Sequence, residues 1–241
     1  MQNNTLFRPG FSLSGTALKR IACLSMLLDH IGASLLENGL FRCSAIDPRL
    51  VGLDQLLRLV GRLAFPIYCF LLVEGFVHTH DVKKYVRRLF LFALISEVPF
   101  DLAFFRTPFD FSAQNVYWTL ALGVLAMAGL KRFEKPDGSA SWKGLLCAAG
   151  CTLAALLACT DYNGIGVLII CALYLTRGDR KRQCIVGAVL FAWELTAPLA
   201  FVLVWFYNGQ RGRCTPAMQK VFYWFYPVHL SVLAAVTNLL L

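Results

Sequence analysis

Apolar runs separated by short polar stretches recur along the whole chain. They lie at about 17–37, 55–78, 84–105, 114–131, 143–159 and 163–177, followed by a long run at 182–208 and a last one at 218–240. Most reach or approach the ~20 residues that a helix needs to cross a ~30 Å hydrocarbon core. The polar stretches between them are too short to form a domain. The pattern therefore predicts an all-α, polytopic integral membrane helix bundle, with one domain over residues 1–241.

Composition agrees with that class. Hydrophobic residues make up 58% of the chain and charged residues 15%, and mean hydropathy is +0.60. A soluble domain carries about a quarter charged residues. The formal charge of +9 would suggest nucleic acid in a soluble protein. Here the basic residues sit in short loops, so their first meaning is topological, and no nucleic-acid partner is expected. Arg8, Lys19 and Arg20 precede the first run. Lys83, Lys84, Arg87 and Arg88 separate the second and third. Lys131, Arg132, Lys135 and Lys143 separate the fourth and fifth. Arg177, Arg180, Lys181 and Arg182 follow the sixth, and Arg211, Arg213 and Lys220 precede the last. Positive loops stay in the cytoplasm, which places the N-terminus inside. The last two clusters share that side, so an even number of crossings lies between them. Residues 182–208 then form two short spans turning near Glu194 and Pro198, giving nine spans and an external C-terminus. The competing arrangement is one tilted helix kinked at Pro198, giving eight. Residues 1–16 lack the apolar core of a secretory signal. None of the nine cysteines forms a C-x-x-C pair. Cys147 and Cys151 share a helix face without a nearby His or carboxylate, so no metal is expected.

Several ionisable residues fall inside the apolar runs, where each is a functional-site candidate. LDHIG places Asp29 and His30 within the first run. Counted from Lys19, His30 is 11 residues further on, roughly 16 Å of helical rise. His229 is 9 residues past Lys220, Glu97 is 9 past Arg88, and Glu74 is 9 before Lys83, each about 13 Å. A common depth in four spans implies a shared polar cavity walled by spans one, two, three and nine. Adjacent helical residues point about 100° apart, so Asp29 does not orient His30. Glu74 or Glu97 is the better candidate for that, and Asp29 is left to a structural role or to acceptor binding. Gly32 and Ser34 allow a neighbouring helix to pack closely. Arg58 and Arg62 are expected to pair with Asp54 or Asp101.

At these residues the chain resembles a family. The string GRLAFPIYCFLLVEGFVHTHDVKKYVRRLFLFALISEVPFD, 61–101, looks like the TraX signature. LDHIG, NVYWTLALG, DYNGIGV, YNGQRG and FYWFYPVHL match it in order. TraX proteins of conjugative plasmids are associated with N-terminal acetylation of the pilin subunit. A weaker similarity is to the membrane acyltransferase-3 family, which carries a basic residue, ten residues and then a functional His. Lys19-x10-His30 fits that spacing, whereas Glu74 stands where that family usually has serine. The lysosomal heparan acetyltransferase group is similar in logic, with acetyl-CoA on one side and acceptor on the other.

These resemblances imply a multi-pass acetyltransferase of the bacterial cytoplasmic membrane that uses acetyl-CoA as co-substrate. Lys19, Arg20, Arg87 and Arg88 suit the phosphates of an acyl-CoA. His30 would act as general base or as a transient acyl acceptor, with Asp29, Glu74, Glu97 and His229 as further catalytic candidates. Asn115, Tyr226 and Asn208 could donate to a developing oxyanion, and Arg62 is another polar cavity candidate. The partners expected are the lipid bilayer, acyl-CoA and an acceptor that the sequence does not name: a pilin-like protein, a glycan or a lipid. Two other readings stay open. The same buried residues could form the proton relay of a small transporter, or the chain could be a non-enzymatic assembly factor for a pilus or secretion system.

Overall fold

A computed structural model of the chain describes residues 12–43 and 47–239. Arg8, counted above with the first basic cluster, lies outside the described residues. The described residues are mostly helical, and the only strand-like pairings among them are two isolated bridges. The expected all-α class is therefore found.

Local chemistry starts most of the helices. Helix α1, Gly15–His30, begins at Ser14, whose hydroxyl accepts from the Ala17 N–H at 3.2 Å. It runs directly into a π-helical segment, Ile31–Leu40, and then into α2, Phe41–Cys43. Helix α3, Pro48–Gly61, starts with Asp47 as cap and Pro48 in its first turn, where a missing N–H costs nothing. The chain breaks only briefly at Arg62 and Leu63 before α4, Ala64–His78. Together these form a 31-residue stretch, Pro48–His78, long and apolar enough to cross a membrane. Asp81 caps α5, Val82–Phe104, and Asn115 caps α6, Val116–Arg132. Ser141 caps α7, Trp142–Leu157, and α8 follows at Asn163–Leu175. Each side-chain oxygen satisfies one of the N–H groups that a helix start leaves without a partner.

The long run at 182–208 resolves as a hairpin rather than one kinked helix. Helix α9, Arg180–Leu190, and helix α10, Ala200–Trp205, are joined through residues 191–199. Gly187 faces Phe201, and a Cβ on Gly187 would come within 2.1 Å of that ring. The two positions are equidistant from Glu194, which puts the turn where the charge pattern requires it. The chain closes with α11, Pro216–Leu239.

Among the described residues the larger of two buried apolar clusters includes Phe70, Phe76, Met127, Ile170, Leu173 and Phe191, all fully buried, and the smaller gathers Met26, Phe100, Tyr226 and Leu230. Apolar side chains also point outward in helical stripes: Leu91, Leu94 and Val98 on α5, and Trp224, Val228 and Val232 on α11. Exposed apolar surface on this scale is unlike the scattered apolar residues of a soluble monomer.

One close approach positions the site. A Cβ at Gly61 would lie 2.3 Å from the Asp29 Cβ, an atom fixed to the α1 backbone. Gly61→Ala should therefore push α3 off α1 and destabilise the protein by about 1–3 kcal/mol. Gly150→Ala is the control, because a Cβ there meets nothing within 4 Å. Thermal unfolding in detergent compares the two variants, and equal midpoints would show that the contact is not tight.

Candidate functional site

A cavity of about 1080 Å³ opens between α1, α4, α5, α6 and α11. Its lining on α1 runs from Gly15 past His30, roughly 22 Å of helical rise. Lys19, Arg88 and Arg211 gather at one end of the lining, the basic mouth, and Asp29, Arg62 and Glu194 at the other, the far mouth. His30 lines the far end beside Asp29.

His30 does not pair with a carboxylate. Its Nδ1 lies 2.7 Å from Nε2 of His229, and the two rings are nearly parallel, 13° apart. The other nitrogen of His229, Nδ1, lies 2.6 Å from the carbonyl oxygen of Phe225. A carbonyl only accepts, so His229 Nδ1 carries the hydrogen. In the neutral ring, His229 Nε2 is then the acceptor, and His30 Nδ1 must donate to it. That leaves Nε2 of His30 as a bare lone pair. The hydrogen-bond chain thus assigns the tautomer a base or nucleophile needs, with the backbone of α11 as its anchor. Phe104 and Tyr226 stand edge-on to His30, with ring centroids at 5.3 and 5.9 Å, and complete its apolar surround.

The basic mouth is held by ring faces and by backbone. The Lys19 ammonium lies 4.9 Å from the Phe222 ring centre, and the Arg88 guanidinium lies 4.5 Å from that of Tyr223. Arg211 is brought in by main-chain bonds: the Thr16 N–H donates to the Arg211 carbonyl at 2.8 Å, and the Gly15 N–H to that of Gln210 at 2.9 Å. Sequence reasoning used Arg211 only as a topological charge. Its place beside Lys19 depends on a contact between positions 195 residues apart.

The far mouth is a network of charges. Asp29 Oδ2 pairs with Arg58 Nη1 at 2.7 Å, Glu37 reaches Arg58 Nε at 3.2 Å, and Glu194 Oε1 meets Arg62 Nη1 at 3.3 Å. The partners expected for Arg58 and Arg62, Asp54 and Asp101, are thus replaced by Asp29, Glu37 and Glu194. The reason is that α1 and the α9–α10 turn, rather than α5, face the α3–α4 junction. Asp161, in the turn between α7 and α8, also lines the cavity. Its carboxyl is pushed up to about 7, chiefly by burial and further by the negative Asp29 and Glu194, against a backbone hydrogen bond and the pull of Arg62.

The other candidate residues divide. Glu74 lines the cavity but pairs with Arg180 at 3.7 Å rather than with His30. Tyr226 lines it beside His30. Glu97 leaves the shared cavity that its depth suggested. It accepts from Asn115 Nδ2 and Trp118 Nε1, both at 2.6 Å, and so holds the start of α6. Asn115 secures the same helix start. Its Nδ2 also reaches the Ala93 carbonyl, and its oxygen caps Tyr117 N–H. Neither lines the cavity. Asn208 is an exposed loop residue whose oxygen accepts from Gln210 N–H, so it does not line the cavity either. Arg20 and Arg87 point outward from the mouth that Lys19 and Arg88 line. Within each basic pair, helical geometry turns one residue in and the other out.

Comparison with known proteins gives two matches. The family model described as TraX protein matches residues 14–237. The chain is also 30% identical, over 92% of its length and 95% of the relative's, to a protein of Dichelobacter nodosus named as a probable fimbrial assembly protein FimC, serogroup H1. No solved structure matches it.

Proposed function

The chain belongs to the TraX family, and on that premise we propose that it is a membrane-embedded acetyltransferase acting in pilus or fimbria assembly. The observation that carries this reading is the Phe225–His229–His30 hydrogen-bond chain, which leaves a basic nitrogen inside a cavity open at a cationic end. Acetyl-CoA enters from the cytoplasm. Its phosphates meet Lys19, Arg88 and Arg211, and its thin pantetheine arm reaches the ~16 Å to His30. The acceptor comes from the other mouth.

The chemistry balances without another reagent. A neutral amine or hydroxyl attacks the thioester carbonyl, forming a C–N or C–O bond as C–S breaks. Its proton passes to His30 Nε2 and from there to the departing thiolate, which leaves as CoA thiol. His229 spreads the charge gained by His30 and keeps its ring oriented. Transfer through an acetyl group held on His30 Nε2 uses the same geometry.

The membrane topology belongs to the same reading. The outward stripes on α5 and α11 face lipid, and the basic clusters lie on the cytoplasmic side. The helices make nine passes, with the N-terminus inside and the C-terminus outside. Helix α9 rises only ~16 Å and α10 only ~9 Å, so the bilayer thins beside the α9–α10 hairpin.

Ligand binding tests this reading. Acetyl-CoA at a hundredfold excess over its Kd should stabilise the purified protein by about 2.7 kcal/mol. Lys19→Ala combined with Arg88→Ala should remove most of that shift. The relative's name also favours a second reading, a non-enzymatic assembly factor. That reading expects no shift with acetyl-CoA.

A further inference from the structure

We propose that Asp29, Glu194 and Arg62 form the acceptor subsite, and that it selects a reacting end that is cationic and rich in N–H or O–H donors. The inference rests on the acetyltransferase reading and adds the substrate chemistry and the residues that recognise it.

Two carboxylate oxygens at the far mouth are buried without a hydrogen-bond partner, Asp29 Oδ1 and Glu194 Oε2. Glu194 is only 7% exposed, yet it lines the cavity. Its other oxygen is held by Arg62, and the other oxygen of Asp29 is held by Arg58. The two side chains are therefore fixed in place; Asp29 Oδ1 packs against Gly61, and Glu194 Oε2 is left over as the acceptor atom for a ligand. A buried acceptor with no donor costs the protein its desolvation, and a ligand donor at that position recovers it. Charge points the same way. Asp29, Glu37 and Glu194 supply three carboxylates at this mouth against the two guanidinium groups of Arg58 and Arg62, with Asp161 beside them as a carboxyl that titrates at about 7. An anionic acceptor would meet that excess with repulsion, whereas an ammonium would be drawn in. Tyr162 and Trp193 add ring surface to the same wall. Asp29 adjoins His30 on α1 and both line the same cavity, so the acceptor subsite lies next to the base. A bound ammonium first loses one proton to the water of the open mouth, and the resulting amine then reacts as above.

D-Glucosamine serves as the probe, because it carries an ammonium and several hydroxyls. Glucosamine 6-phosphate keeps that ammonium and adds a phosphate, so it is the net-anionic match that tests the carboxylate excess. With purified protein and labelled acetyl-CoA at saturation, the wild type should acetylate glucosamine at least tenfold more efficiently than its phosphate. Glu194→Gln should lose tenfold or more in kcat/KM for glucosamine, with the acetyl-CoA thermal shift unchanged. Asp29→Asn should behave in the same direction. Equal use of the two sugars, a Glu194→Gln variant that matches the wild type, or no labelled sugar while acetyl-CoA still binds would each overturn the subsite. A wild type that does not bind acetyl-CoA would instead overturn the acetyltransferase reading beneath it.

Discussion

His30→Ala should lower acetyl transfer by about 10²–10⁴-fold, the usual contribution of a positioned general base. Acetyl-CoA binding should survive, because the site proposed for its phosphates is built from Lys19, Arg88 and Arg211. The protein should also remain folded. His30 lies against a cavity wall, and its removal enlarges a space that already exists. Matched membrane levels of wild type and variant, with transfer rates measured side by side, check this. If His30 instead carries the acetyl group, the same variant also loses the labelled intermediate that a brief pulse of acetyl-CoA would trap. Normal turnover in His30→Ala would exclude both routes.

The second large effect is expected at His229, which acts through His30 and is a positioning residue. Without it, His30 Nδ1 has no acceptor, and the proton is free to move to Nε2, the nitrogen that must stay bare. Loss of the orienting partner of a catalytic histidine can cost up to about 10⁴-fold through the wrong tautomer. His229→Ala should therefore lower kcat by on the order of 10²-fold or more, with KM for acetyl-CoA unchanged. His229→Gln offers a carbonyl oxygen to His30 Nδ1 and should recover much of the loss. A purely structural role would move kcat and KM together with stability, and Gln would not rescue it.

The helix layout was legible because two independent patterns agree. Hydropathy marked the runs, and the basic clusters decided that 182–208 must turn back on itself near Glu194. The joint depth of His30 and His229 was also legible, since helical rise is fixed at about 1.5 Å per residue. What a depth count leaves open is the direction in which a side chain points. Glu97 has the right depth but faces α6, where Asn115 and Trp118 take both its oxygens. Arg20 and Arg87 failed in the same way beside Lys19 and Arg88. The partner of His30 was sought among carboxylates because acid–histidine pairs are common. A second histidine at the same depth was the better signal. The far mouth was the least legible part. Arg62 and Glu194 meet across 132 residues through two turns, and neither residue stands out in a local window. Glu194 in an apolar run was noted only as a turn, although a buried carboxylate in such a run asks for a partner.

The most direct measurement is to incubate membranes containing the wild-type protein or His30→Ala with acetyl-labelled acetyl-CoA and to isolate whatever carries the label. The expected result is an acetylated acceptor formed by the wild type and absent with His30→Ala at equal protein levels. Label reaching the same acceptor at the same rate in both would contradict the assignment of His30 as the base at which co-substrate and acceptor meet.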